Sequence, residues 1–376
     1  MPSAEVDGVR CMWMRGGTSK GAFFLAEDLP ADPTERDRLL LRIMGTPDPQ
    51  QIDGIGGATS VTSKVAVVSA STDPDADVDY LFLQVGVDRP TVSDRQNCGN
   101  ILAGVGPFAV ERGLLATAGD RTTVRIRMVN SDSIAVATFP TPNGRPQYAG
   151  DARISGVPGS AAPISIAFRG TEGSVTGALF PTGRVVDEID GVAVTCIDNG
   201  MPVVVLTAAA LGRTGTETHE QLQADTALLE RVDRIRCAAG ELMGLGDVAA
   251  SSVPKTMAVS PAVDGGHLRI QSFIPVTPHQ AIGVLAAISA VTACRHPDST
   301  THDVARSWPV DSSTIDVEHP SGHMLLDVTA GMQEGIFTVQ RSAVIRTARK
   351  LFDGTVFPTS TQSLPVPEET THAAAP

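Results

Sequence analysis

Two side chains in this sequence, Cys98 and Lys64, have surroundings suited to proton chemistry. Cys98 lies in Gln96-Asn97-Cys98-Gly99-Asn100, a polar turn that runs straight into an apolar stretch ending at Gly113. That stretch carries no charge before Glu111 and Arg112, and Gly104 and Gly106 keep it thin. It reads as a buried helix with Asn97 or Cys98 at its cap and Gly113 at its end. The first turn of such a helix presents unpaired N–H groups and a partial positive charge, a setting that suits a carboxylate and favours a thiolate. A free cysteine is often only a small buried hydrophobe, but the polar and flexible neighbours Asn97, Gly99 and Asn100 favour a functional position. Lys64 follows a glycine-rich loop and Ser63, then enters the apolar run Val65–Val68. It is either a solvated strand end or a half-buried amine able to act as a base; the residues alone leave both readings open.

Other groups could grip an anion beside this pair. Arg15, Gly17, Thr18, Ser19 and Lys20 form a cationic, donor-rich turn. Lys255, after Pro254, echoes Lys64, and Asn199 lies in a turn that matches the Arg15 turn. His279 precedes a second apolar, small-residue run over 281–294 and is expected to cap it. A thiol, lysines, an arginine and helix N-termini together suit a small polycarboxylate and a proton shift next to a carbonyl or alkene. No Walker loop or GxGxxG pattern occurs. The five cysteines are widely spaced, and no CxxC or Cys/His pair has metal-ligand spacing, so no metal is expected. The net charge of −13 argues against nucleic acid or an anionic membrane as partner. The start of the chain has no apolar signal core, which makes the cytoplasm the default expectation.

The positioning elements occur in an order that runs twice. Strands are expected at 9–14 and 22–25 around the Arg15 turn, then an amphipathic helix up to Gly45, strands at 64–69 and 78–87, and the Cys98 helix. Later come strands at 192–197 and 203–206, a helix over about 220–244, strands opening at Lys255 and Leu268, and the 281–294 helix. Strands are also expected at 122–129, 133–139, 164–168, 175–180, 311–327 and 335–344. A duplication follows. It implies an α+β protein of two pseudo-symmetric halves, each a mixed sheet or barrel wrapped around a central helix, with the helix N-termini facing each other. The expected domains are 1–184, 185–340, a segment over 341–357 returning toward the first half, and a disordered Pro/Thr/Ser/Ala-rich tail over 358–376.

At Arg15-Gly16-Gly17-Thr18-Ser19-Lys20-Gly21, Asp53-Gly54-Ile55-Gly56-Gly57-Ala58, Thr62-Ser63-Lys64 and Asn97-Cys98-Gly99-Asn100 the chain resembles the PrpF family, of diaminopimelate epimerase-like fold. The resemblance extends from about residue 9 to 357 and includes Thr195–Val204 and Val317-Glu318-His319-Pro320-Ser321-Gly322. It implies a cofactor-independent isomerase of unsaturated tricarboxylates or oxo-acids, with a lysine acid/base at Lys64 and an active-site cysteine at Cys98. Among the family's activities it favours the keto–enol tautomerisation of 4-oxalomesaconate in gallate-type aromatic acid degradation. The alternatives are 2-methylaconitate cis–trans isomerisation and a non-catalytic tricarboxylate binder. The epimerases of this fold use two cysteines, one from each half; here His279 stands where a second cap thiol is expected, which fits a 1,3-proton shift better than inversion of a stereocentre. Arg15, Gly17, Thr18, Ser19, Lys20, Ser63, Asn97, Gly99, Asn100, Asn199, Lys255 and His279 are the expected substrate contacts. A homodimer is left open.

Overall fold

The computed structural model describes residues 7–305, 308 and 314–360. The chain forms two compact units, one running to Ile166 and resuming at Arg346, the other Ala167–Ile345. Both boundaries differ from the expected 184 and 340: the first falls inside the strand Ile164–Phe168, where no glycine or proline marks a break. The tail beyond residue 360 lies outside the described residues.

The first unit begins with β1 (Val9–Gly16) and β2 (Ser19–Leu25). These are not one interrupted strand but an antiparallel hairpin that turns on Gly17 and Thr18, with Gly17 at φ +51°. A two-residue turn needs positive φ, which Gly supplies without a Cβ clash. Helix α1 (Pro33–Met44) is capped by the Asp32 side chain and stopped by left-handed Gly45. Strand β3 (Lys64–Ala70) runs parallel to β2, and β4 (Val78–Val85) antiparallel to β3. The short β5 (Val92–Ser93) leads into α2 (Gly99–Glu111), and β6 (Arg121–Met128) and β7 (Ser133–Pro140) extend the sheet beyond β4. Strand β8 (Ile164–Phe168) follows.

The second unit repeats these pairings. After β9 (Asp187–Ile189), strands β10 (Val192–Asp198) and β11 (Pro202–Thr207) make the hairpin. The expected long helix is two, α3 (His219–Ala224) and α4 (Thr226–Leu242), because the Asp225 side chain caps a new start at Leu228 N–H. Then come β12 (Lys255–Ser260) parallel to β11, β13 (Leu268–Phe273), β14 (Pro278–His279) and α5 (Val284–Arg295). Strand β15 (Thr314–His319) runs parallel to β13, and β16 (Gly322–Gln333) and β17 (Ile336–Arg346) follow antiparallel. The chain then resumes the first unit, within which β18 (Ala348–Val356) pairs antiparallel with β1. The expected strand over 175–180 is absent; two N–H groups there and the Thr176 hydroxyl bind the Asp198 carboxylate, and the segment turns instead of extending.

Each unit carries one face of its sheet on a central helix. In α2, Ile101–Ala109 are all buried, and in α5, Ala286–Cys294 are. The thinness of α2 is used: a Cβ on Gly104 would lie 2.7 Å from the Phe23 ring, and one on Gly106 2.6 Å from the Phe139 ring. On the other face of the first sheet, Cys11, Trp13, Phe24, Val65 and Leu83 pack with Leu40, Leu41 and Met44 of α1. Gly106→Ala therefore overpacks the core. It is expected to cost about 1–3 kcal/mol, read as a lower urea midpoint with an unchanged m-value.

Candidate functional site

Strand alternation decides which side chains meet α2. Lys64, Tyr80, Phe82 and Gln84 have the opposite parity to Val65, Leu83 and Val85, which pack toward α1, so they share the α2 face. Lys64 is only 8% exposed. Its Nζ donates to Gln84 Oε1 (2.8 Å) and stands 4.9 Å from the Phe82 ring centroid. Gln84 Nε2 donates to the carbonyls of Ser60, Ser63 and Val85 (3.1, 3.0 and 3.2 Å). The amide is thus held in one orientation, with its acceptor toward the lysine.

The glycine loop ahead of Lys64 is scaffolding. Gln51 Oε1 accepts from Ser63 Oγ (2.6 Å) and Ala58 N–H (2.9 Å), and a Cβ on Gly56 would collide with the Gln51 side chain at 2.2 Å. Ser63, expected to contact substrate, is fully buried and spends its hydroxyl on this loop.

Cys98 is the N-cap residue of α2, in extended conformation, and its side chain makes no capping bond. It is partly exposed. The Tyr80 hydroxyl, fully buried, donates to the Cys98 carbonyl (3.4 Å), and burial, with Cys98 beside it, pushes the phenol pKa up. The phenol therefore stays neutral and anchors the helix start. A Cβ on Gly99 would meet nothing within 4 Å, so the approach to the first turn is open. Asn97 Nδ2 donates to Ser131 Oγ (2.6 Å). Asn100 Nδ2 donates to Thr18 Oγ1 (3.0 Å), with Ser19 Oγ at 3.5 Å. The hairpin approaches the helix backbone closely: a Cβ on Gly16 would lie 2.4 Å from the Asn100 carbonyl oxygen, and one on Gly17 2.2 Å from Asn100 Oδ1. Lys64, Cys98, Gly17, Thr18, Ser19, Asn97, Gly99 and Asn100 are thus carried by the α2 face and its helix start.

Arg15 and Lys20 are not. They face each other across the hairpin, with parity opposite to Gly16 and Ser19, and so project from the other face. Sequence reading grouped them with the turn because it sees spacing and not the side of the sheet.

In the second unit, Lys255 opens β12 opposite Val203, as Lys64 opens β3 opposite Gly21. Burial lowers the pKa of its amine. A Cβ on Gly283, the N-cap of α5, would lie 3.7 Å from Lys255 Nζ, so this amine stands at the helix start. An ammonium and a helix N-terminus together favour a carboxylate. His279 is not the cap. It pairs with Ser272 in β14, is exposed, and its Nδ1 accepts from Ala281 N–H (3.1 Å). The counterpart of Cys98 at the start of α5 is Gly283, so the second helix start carries no thiol. Asn199 is fully buried: its Nδ2 donates to Thr292 and Ser342 (2.8 and 2.9 Å) and its Oδ1 accepts from Thr171 (2.5 Å). Its amide ties the hairpin to α5 and β17 and is not offered to a ligand. No group of three or more His, Cys, Asp or Glu side chains suited to a metal exists among the described residues, and no helix among them is long and apolar enough to cross a membrane.

Gln84 is the residue that sequence reading missed. Its alternation with Phe82 was visible, but its pairing with Lys64 depends on cross-strand register. Glu318, within the Val317–Gly322 motif, has a structural role instead. Burial opposes its ionisation, yet the N–H groups of Val263, Gly266 and Asp264 (2.9, 2.9 and 2.6 Å) outweigh this and hold its pKa below the usual value. A depressed carboxyl pKa stabilises the fold above the unfolded value of about 4.3 and ceases to do so as pH falls through the folded value. The stability gap between the wild type and Glu318→Gln, measured by urea unfolding, is expected to be widest near neutral pH and to close below about pH 4.

Comparison with known proteins agrees with this architecture. A family profile described as PrpF protein matches residues 7–359. The chain is 55% identical over 355 residues to a (4E)-oxalomesaconate Delta-isomerase of Novosphingobium sp. strain KA1, covering 94% of this chain and 98% of the relative. It is 52% identical over 348 residues to a 4-oxalomesaconate tautomerase of Pseudomonas putida, covering 93% and 95%. The crystal structure of a methylitaconate-delta-isomerase superposes with a TM-score of 0.83 at 33% identity, covering 96% of this chain and all of that one.

Proposed function

The chain belongs to the PrpF family, and from that premise we propose that it is an isomerase catalysing the keto–enol tautomerisation of 4-oxalomesaconate. The observation that carries this reading is the amine of Lys64, nearly buried on the α2 face and held by Gln84, on the same side of the sheet as the open helix start at Cys98. The reaction proceeds without a cofactor and belongs to gallate-type aromatic acid breakdown in the cytoplasm.

Lys64 Nζ, as the neutral amine, takes a proton from the CH₂ beside the ketone. The C–H pair becomes the new C=C bond, and the ketone oxygen takes up the negative charge. A proton from the Cys98 thiol, or from Lys64 itself, completes the enol; the reverse reaction runs through the same groups. The first-turn N–H groups of α2, with Asn97, Asn100 and Thr18, hold carboxylate oxygens and stabilise the enolate. In the second unit Lys255 at the start of α5 offers the same chemistry to a carboxylate.

Gln84 positions the base. One amine hydrogen is committed to Oε1, so the lone pair of the neutral amine must point elsewhere, away from the amide.

Three outcomes test this reading. Purified protein added to 4-oxalomesaconate without cofactor is expected to produce the conjugated enol, followed by ultraviolet absorbance; conversion of 2-methylaconitate alone would replace the substrate assignment. Lys64→Met is expected to lower kcat at least about 100-fold, in line with loss of a general base, with an unchanged melting temperature. Gln84→Glu places a carboxylate on the amine and is expected to move the acid limb of the pH–rate profile about 1 unit or more to higher pH. An unmoved limb would deny Gln84 its positioning role.

A further inference from the structure

The face of the first unit's sheet that turns away from α2 carries a second feature. Arg15 on β1 lies directly opposite Arg349 on β18 and opposite Lys20 on β2. Directly opposed residues share a face, with Cα atoms about 4.5–5.5 Å apart. Three cationic side chains therefore stand in a row across three neighbouring strands. None has a carboxylate partner among the described residues; the contacts made by the Arg15 side chain are from Nη1 to the Gly17 carbonyl (2.8 Å), the Thr347 carbonyl (3.1 Å) and Thr347 Oγ1 (3.0 Å). Those three bonds fix the guanidinium plane and leave Nη2 and Nε without partners. Arg349 makes no hydrogen bond or ion pair among the described residues.

This arrangement costs stability. Like charges directly opposite on a sheet destabilise it, and burial together with the charge of Arg349 lowers the pKa of Arg15. The two arginines also line a cavity of about 310 Å³, at the lower end of the range for small-molecule pockets. Its other walls come from the segment 148–161, including Ile154, Val157, Pro158 and Ser160. Tyr148 of this wall donates its hydroxyl to Glu111 (3.3 Å), which Lys350 Nζ also holds (2.7 Å).

We propose that this cavity binds a small organic carboxylate, its carboxylate held by Arg15 and Arg349 and its carbon skeleton against Ile154, Val157 and Pro158. The fixed fork of Arg15 suits two parallel hydrogen bonds to a carboxylate. The apolar wall favours an organic anion over an inorganic one. The site is separate from the Lys64 chemistry, because Lys64, Gln84 and Cys98 do not line the cavity.

The test uses the full chain and benzoate as probe, titrated by isothermal calorimetry, with inorganic phosphate in a parallel arm. Saturable benzoate binding is expected, weakened about tenfold or more by Arg349→Ala and by Val157→Trp, which fills the cavity. Isomerisation of 4-oxalomesaconate at saturating substrate is expected to be unchanged in both variants, which also verifies that they fold. Lys64→Met is expected to leave benzoate affinity unchanged. The proposal is overturned if benzoate does not bind, if binding survives both Arg349→Ala and Val157→Trp, if Lys64→Met abolishes it, or if phosphate binds more tightly than benzoate.

Discussion

A single hydrogen bond, from Lys64 Nζ to Gln84 Oε1, sets the character of the sheet face that meets α2. A lysine that is almost wholly buried in a sheet must find an acceptor or give up its charge. Here the acceptor is a neutral amide whose other end is fastened to three carbonyls. The amine is held in place without being locked into an ion pair. The Phe82 ring beneath it adds an attraction for the protonated form that is weaker than a carboxylate would give. The position of the amine is therefore fixed by neutral partners.

The thin helix makes room for this arrangement. Gly16 lets the hairpin backbone lie against the Asn100 carbonyl, and Gly104 and Gly106 admit the rings of Phe23 and Phe139. The start of α2 is then fixed against the sheet, with Tyr80 tying the Cys98 carbonyl to β4. Because alternate residues of a strand project to opposite faces, the same few residues serve two environments. Gly16 and Ser19 meet the helix start, while Arg15 and Lys20 turn to the far side. A turn that looks like one donor-rich cluster in the sequence is divided by the sheet.

Much of the architecture could be read from residue order. The α+β class, the repeated succession of elements and the buried helix starting at Cys98 all follow from patterns that are local in the chain, namely apolar runs, glycine stops and polar caps. The hairpins look like interrupted strands in the sequence because a break and a reversal have the same local signal. The sequence pattern puts the cap of the second helix four residues early, at His279 instead of Gly283, since polar residues before an apolar run fit both a cap and a short paired strand. Asn199 and Ser63 look like ligand contacts in the sequence because an exposed amide or hydroxyl and a buried, satisfied one have the same letter. Gln84 and the facing of Arg15 were out of reach for a different reason. Both depend on which strands are neighbours and in what register, and this is fixed only by the tertiary fold.

The most direct measurement is proton exchange in heavy water. With the protein present, the enol in D₂O should be converted to a ketone carrying one deuterium at the CH₂ carbon, seen as a halved CH₂ signal in the proton NMR spectrum. Ketone formed with no deuterium at that carbon, or equal labelling at an equal rate when Lys64 is replaced by Met, would contradict the account.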